Sequence, residues 1–305
     1  MLMWHRSLRR APAALVGVVA LLAPAGPAEA GGVVALPGTR PTHVTAPPDL
    51  ARAAAVTAHV WTGGSNLRLR WNASTDVDAP GRLPHGARVS VRCQLAGETI
   101  AGSQRRTDLW NRISTGRFIS DAYTRWRPRR PAVPWCNTAT GARPPTDRVG
   151  FIRWAAANAR AANARYRVPV SVTVAQAILE SGWGRSALTT QGAAYFGMKC
   201  FGTPGPISLG CRPYRTTECG GRRCFRTSAR FRTYNAASRS FVDHARQLAT
   251  LSRYRPAFAH VRDPDRFAIA VHRAGYATSP TYSRNLINLM RRYDLYRYDP
   301  RAPRH

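Results

Sequence analysis

Apolar positions alternate in the first half of the chain and recur at helical spacing in the second. Leu67-Arg-Leu-Arg-Trp71 and Val89-Ser-Val-Arg-Cys93 put every second residue on one face, as half-buried strands do. Turn signals at Gly63-Gly64, Ala79-Pro80-Gly81, His85-Gly86 and Gly116 separate such pieces, so residues 56–136 read as a small β barrel. Residues 127–147 are proline-rich and suit an extended, semi-rigid linker. Beyond them the period becomes helical. Asp147 can cap a helix with Phe151, Ala155, Ala159 and Ala162 on one face, and Ser171 a second with Val174, Ala177 and Ile178. Ser238 can cap a third with Phe241, Ala245 and Leu248. Asp263-Pro264 starts a fourth, carrying Phe267, Ala270, Val271 and Ala274 and stopping at Gly275. Ser279-Pro280 opens a last helix that turns Tyr282, Leu286 and either Leu289 or Met290 inward. Two strand-like pieces within the Gly-, Pro- and Cys-rich residues 197–236 form an inserted β-hairpin. The expected fold is multidomain, all-β followed by α+β and mostly helical.

The N-terminus changes the compartment. Residues 1–30 combine Arg6, Arg9 and Arg10, the apolar run Ala14–Pro24 and the small-residue site Ala28-Glu29-Ala30, which together read as a secretory signal peptide. The run is shorter than the ~20 residues a membrane span needs, and no later segment qualifies, so a secreted protein without a stable membrane anchor is expected. Residues 31–55, rich in Ala, Pro, Gly and Thr, read as a flexible lead-in. In an oxidising compartment the six cysteines suggest three disulfides among 15 possible connectivities. Local pairing gives Cys93–Cys136, Cys200–Cys211 and Cys219–Cys224. A zinc site is not expected, because no CxxC pair occurs and no histidine lies among the four clustered cysteines. Formal net charge is +31, nearly all from arginine, with Lys199 the only lysine. The charge is spread along the chain and no DNA or RNA motif accompanies it, so anionic polymers rather than nucleic acid are the expected partners.

Residues 174–186, VAQAILESGWGRS, carry the candidate chemistry. Glu180 sits in the last turn of a helix, where the partial negative charge of the helix end disfavours a carboxylate, and the nearby Trp183 adds desolvation. Both raise its pKa, and a carboxyl group kept protonated near neutral pH can hand a proton to a leaving oxygen, as glycoside hydrolysis requires. Gly182 lets the chain leave the helix with positive φ, and Gly184 leaves room at the turn or beside a ligand.

Four further blocks follow in order: Gln191-Gly-Ala-Ala-Tyr-Phe-Gly-Met-Lys199, Thr216-Thr-Glu218, Phe231-Arg-Thr-Tyr234 and Ala274-Gly-Tyr-Ala-Thr-Ser-Pro-Thr-Tyr-Ser283. With AILESGWGRS they resemble the peptidoglycan glucosaminidases of glycoside hydrolase family 73, over residues 148–298. The resemblance implies a lysozyme-like fold and an endo-β-N-acetylglucosaminidase that cuts the glycan strand after N-acetylglucosamine. It further implies Glu180 as general acid, Glu218 of the hairpin as base or stabiliser, and Tyr276 as an assisting cleft residue. Trp183, Tyr195, Phe196 and Tyr282 are candidates for stacking on sugar rings. No cofactor or metal is implied. Ala194 and Ser279 stand where the family usually has asparagine and aspartate; the second still leaves a capping side chain. A muramidase or lytic transglycosylase on the same scaffold, and a non-catalytic wall-binding protein, are the alternative readings.

The earlier segment has a resemblance of its own. Asn66-Leu-Arg68, Leu83-Pro-His-Gly-Ala-Arg-Val89, Asp108-Leu-Trp-Asn-Arg112 and Gly116-Arg-Phe-Ile-Ser-Asp-Ala-Tyr123 resemble a bacterial SH3-like domain of actinobacterial wall proteins. That implies binding to cell-wall material; a monomer is expected, with peptidoglycan glycan strands and anionic wall polymers as partners. A Cys219–Cys224 bond would stiffen the hairpin beside Glu218. Its selective reduction is therefore expected to lower activity more than thermal stability, and equal activity before and after reduction would refute this.

Overall fold

A computed structural model describes residues 55–300 apart from 221 and 222; the side chains of 217–225 are also outside the description. The expected signal peptide and nearly all of the lead-in lie outside the described residues.

The first unit is all β. Its strands are β1 (Val56–Val60), β2 (Leu67–Arg70), β3 (Asp78–Leu83), β4 (Arg88–Ala101), β5 (Arg106–Ile113), β6 (Phe118–Ser120) and β7 (Thr124–Arg125), paired in the order β3-β2-β6-β5-β4-β1-β7. Alternation works as the sequence suggests: Val89 and Val91 are buried, and Arg88 and Arg92 are not. The register shift between Val91 and Cys93 bends the long β4, so that it pairs with β1 at one end and with β5 at both.

The polar residues of the SH3-like pattern close this unit from inside. Asp121 is fully buried, and its Oδ1 accepts from Asn111 Nδ2 and Trp126 Nε1, each at 2.9 Å. Its Oδ2 faces the guanidinium groups of Arg105 at 2.8 Å and Arg130 at 3.3 Å. A buried carboxylate survives only with such a full set of donors.

Arg130 belongs to the proline-rich segment, which is pinned at several points. Gln94 pairs with Trp135, the Cys93–Cys136 disulfide follows, and Cys136 and Thr138 are fully buried. The second expected disulfide, Cys200–Cys211, is also formed. Cys219 and Cys224 stand opposite each other in the backbone ladder, while their side chains lie outside the described residues.

The second unit contains α1 (Arg148–Tyr166), α2 (Val170–Ser181), α3 (Ala187–Gly192), the hairpin β8 (Gly210–Gly220) and β9 (Arg223–Thr233), α4 (Ala237–Thr250), α5 (Pro264–Arg273) and α6 (Tyr282–Arg292). Asp147 and Asp263 cap α1 and α5 as expected. The serine caps do not hold. Ser171 lies inside α2, which starts at Val170, and its amide instead donates to Asp299 Oδ1 at 3.0 Å, so this helix is capped from the far end of the chain. Helices α4 and α6 begin after Ala236 and Thr281 rather than at Ser238 and Ser279, without a side-chain cap bond. Burial resolves the open choice in α6 in favour of Met290.

Helix α2 is buried from Val170 to Ile178 and packs against α1, α5, α6 and the 3₁₀ turn at Leu295–Tyr298. The candidate acid thus sits at the end of the most enclosed helix. No helix among the described residues is long and apolar enough to cross a membrane.

The two units share a sheet. Ala96 of β4 pairs with Cys211 of β8, and Ala73 N donates to Leu209 O at 2.8 Å. A Cβ on Gly210 would lie 2.8 Å from the Leu95 side chain, so only glycine lets the strands approach this closely. An ion pair between Arg230 of β9 and Asp108 of β5 adds a second tie.

The base of the hairpin is held by Asp243 of α4, fully buried, which accepts from Arg232 Nη1 at 2.8 Å and Tyr234 OH at 2.9 Å. Removing it strands a buried guanidinium, so Asp243→Ala is expected to cost about 3 kcal/mol or more in denaturant unfolding. A loss within about 0.5 kcal/mol, the range of ordinary surface substitutions, would contradict this account.

Candidate active site

The chain leaves α2 through three consecutive left-handed residues, Gly182 (φ 56°), Trp183 (φ 61°) and Gly184 (φ 76°). The conformation is natural for the glycines and costs about 1–2 kcal/mol for the tryptophan. Packing holds it there. Trp183 meets Phe151 and Tyr293 edge to face, at 5.6 and 5.3 Å between ring centroids, and the Arg148 guanidinium lies 5.6 Å from its ring. A Cβ on Gly184 would come within 2.8 Å of Pro144 and 3.1 Å of Phe151, so this glycine makes room for the protein itself rather than for a ligand. Ser181 closes the turn by accepting from Gly184 N at 2.8 Å.

Glu180 is half-buried, with its carboxyl group turned to the tyrosines of the following helices. Tyr282 OH donates to Oε1 at 2.8 Å, and Gln176 Nε2, one turn back in α2, donates to the Tyr282 oxygen at 3.1 Å. Each donor in this chain faces an acceptor. Gln176 occupies a lone pair of the phenol, and the phenolic proton is directed at Glu180. With Oε1 receiving that proton, the carboxyl's own proton belongs on Oε2.

Burial pushes the Glu180 pKa up to about 8, against the opposing effect of the Tyr282 hydrogen bond. The direction expected from the helix end is observed, and desolvation is its principal cause. Tyr282 is the aromatic residue hydrogen-bonded to the acid.

Tyr276 stacks on Tyr282 with 5.6 Å between centroids and a 26° interplanar angle. Its hydroxyl is buried with no hydrogen-bond partner, and burial together with the nearby Glu180 drives its pKa well up. Gly275, with φ 82°, turns the chain after α5 and presents this side chain. Behind it, His244 stacks on Phe196 at 3.9 Å and meets Tyr276 edge-on at 5.9 Å. His244 is buried with neither ring nitrogen bonded, and burial lowers its pKa to about 3, so it serves as a neutral ring.

The structure therefore brings together Glu180, Tyr276 and Tyr282, with Gln176, which sequence reasoning missed. Its signal was its spacing: a buried amide one turn before an acid on the same helix face. The sugar-stacking expectation is corrected for two residues. Phe196 and Tyr282 are each 1% exposed, their rings covered by neighbours, and Tyr282 instead orients the acid. Trp183 and Tyr195 line a different cavity, of about 250 Å³, walled by linker residues 141–146. The Glu218 side chain lies outside the described residues; its backbone pairs with Phe225 near the hairpin tip.

Comparison with known proteins bears on the same segment. Residues 156–295 match the glucosaminidase family, described as mannosyl-glycoprotein endo-beta-N-acetylglucosaminidase. The chain is 34% identical over 142 residues to the peptidoglycan hydrolase FlgJ of Pseudomonas aeruginosa, covering 45% of this chain and 35% of that protein. It is 32% identical over 144 residues to the exo-glucosaminidase LytG of Bacillus subtilis, covering 46% and 49%. The chain thus spans half or less of the length of these relatives. Among solved structures, the catalytic domain of the autolysin Auto from Listeria monocytogenes is similar, with a TM-score of 0.44 and 28% identity over 53% of this chain and 92% of that one. The matched segment contains all three grouped residues, Glu180, Tyr276 and Tyr282, as well as Glu218.

Because the Tyr282 hydrogen bond holds the Glu180 pKa down, Tyr282→Phe is expected to raise it above its present value of about 8. A ¹³C NMR titration of the Glu180 carboxyl carbon reads the change directly. A titration unmoved or shifted to lower pH would contradict the arrangement.

Proposed function

We propose that the chain is a secreted, wall-associated peptidoglycan hydrolase, an endo-β-N-acetylglucosaminidase with Glu180 as its general acid. The observation that carries this reading is the Glu180 carboxyl group, desolvated to a pKa of about 8 and gripped through one oxygen by Tyr282, within a glucosaminidase domain.

At neutral pH such a group is mostly the neutral acid. Oε2 gives its proton to the glycosidic oxygen as the bond to the sugar's anomeric carbon breaks, and the carboxylate left behind keeps the Tyr282 hydrogen bond. Tyr276 has a buried hydroxyl with no other partner beside this acid, which suits it to hydrogen-bond the substrate around the reacting carbon. Glu218 is assigned to the opposite role, base or stabiliser, from its hairpin position. The all-β unit is assigned as an SH3-like wall-binding domain. The disulfides and the relatives' reported action on peptidoglycan support an extracellular location at the cell wall.

Digestion of purified peptidoglycan, with mass analysis of reduced products, tests the reading. The wild type is expected to release fragments whose reducing end is N-acetylglucosamine. Fragments ending in muramic acid or its anhydro form, or single sugars released only from chain ends, would overturn the specificity. Glu180→Gln is expected to lose at least 100-fold in rate, the scale of general-acid catalysis.

The same group gives a stability signature. A carboxyl group whose folded pKa lies near 8, above the ordinary 4.5, stabilises the fold fully below pH 4.5 and loses that contribution as pH rises through 8. Glu180→Gln removes this dependence, so its melting temperature relative to wild type is expected to be higher at pH 8.5 than at pH 5. An equal difference at both pH values would place Glu180 in an aqueous environment.

A further inference from the structure

A cleft of about 370 Å³ lies where the β unit meets the root of the hairpin. One wall comes from the loop after β2, with Trp71 and Asn72; the other comes from the segment before β8, with Ser208, and from Asn235 and Arg239 at the start of α4. None of these residues takes part in the glucosaminidase chemistry above. The walls are fixed to each other by the Ala73–Leu209 backbone bond, so the cleft is preformed.

Two observations at this cleft are unusual. Trp71 is 43% exposed, although so large an apolar ring normally packs inward. The Arg117 guanidinium covers one face at 3.4 Å from the ring centroid, which holds the indole in place at little further ordering cost. Beside it, Asn72 is only 4% exposed, and its amide is poorly satisfied. Nδ2 reaches Ser208 O at 3.5 Å, the outer limit for a hydrogen bond, and Oδ1 has no partner.

We propose that this cleft is a saccharide-binding site for a strand of N-acetylated hexosamines, distinct from the Glu180 site. The three elements call for one chemistry. A flat indole matches the apolar face of a pyranose ring. Asn72 Oδ1 is sealed within the wall, so the reachable polar acceptor is the exposed Asn235 amide, which calls for an O–H or N–H donor that sugar hydroxyls and the acetamido group have and a phosphate diester or carboxylate lacks. Arg239 and Asn235, exposed on the facing wall, supply donors for ring oxygens and the acetyl carbonyl. The site shares its polymer with the proposed function and would tether the glycan strand at the base of the hairpin that carries Glu218.

The probe is the N-acetylglucosamine tetramer, titrated calorimetrically into the full chain carrying Glu180→Gln to prevent turnover. Two classes of binding are expected. Adding Trp71→Ala should weaken one of them by about tenfold or more, the scale of one lost aromatic stacking contact. The melting temperature should stay unchanged, and Trp71→Phe should restore part of the affinity. Identical titrations with and without Trp71, or no tetramer binding by a chain that digests peptidoglycan, would overturn this proposal. Trp71-dependent binding in a chain that digests nothing would uphold the site and refute the catalytic reading.

Discussion

The structure turns on one desolvated carboxyl group. Glu180 ends the helix that α1, α5, α6 and the Leu295–Tyr298 turn enclose, and ionisation there would be costly. The fold answers by letting the group remain an acid and by controlling it with a single directed hydrogen bond. Tyr282 must reach it from a helix more than a hundred residues later, so α6 has to lie against α2 and α5. Gln176 has to present its amide to the phenol one turn before the acid. The left-handed turn through Trp183 locks the end of α2 against Phe151 of α1. Loosening any of these supports would change where the carboxyl group points and how acidic it is.

The hairpin is positioned with similar thoroughness at its root. The buried Asp243 ties it to α4, the Cys200–Cys211 bond ties it to the preceding loop, and the Ala96–Cys211 pairing carries the β unit's sheet into it. The β unit is therefore built onto the scaffold that supports Glu218, and the proline-rich segment between the units is bridged to it, disulfide-bonded and anchored by the buried Val133, Cys136 and Thr138. In such an arrangement a contact of polymer with the β unit and a contact with the hairpin fall on one continuous sheet.

Much of the site was legible locally. The run Glu180-Ser-Gly-Trp-Gly states a helix, its stop and an acid at its end, because helix termination depends on backbone freedom that glycine advertises. Gly275 marked a later helix stop for the same reason, whereas Tyr276 was named only through the family resemblance. The aromatic assignments were not, because an aromatic residue looks the same whether its ring faces a sugar or a neighbouring helix. Phe196 and Tyr282 went to the core, and Tyr282 acquired a role through its hydroxyl. Serine caps were over-read; at Ser171 the reason is visible, since the helix starts one residue earlier and its amide found a carboxylate more than a hundred residues away.

The sequence by itself determined the periodicities, the all-β then mostly helical order, and an acid at a helix end, since each depends on residues within a few turns; which cysteines pair, Cys93 with Cys136 and Cys200 with Cys211, was one of many options until the fold chose it. Only the tertiary structure decided that the acid is governed by Tyr282 and Gln176, that Trp183 braces the scaffold, and that the two units share a sheet. Those outcomes depend on which distant surfaces meet, and desolvation and hydrogen-bond geometry exist only after they have met.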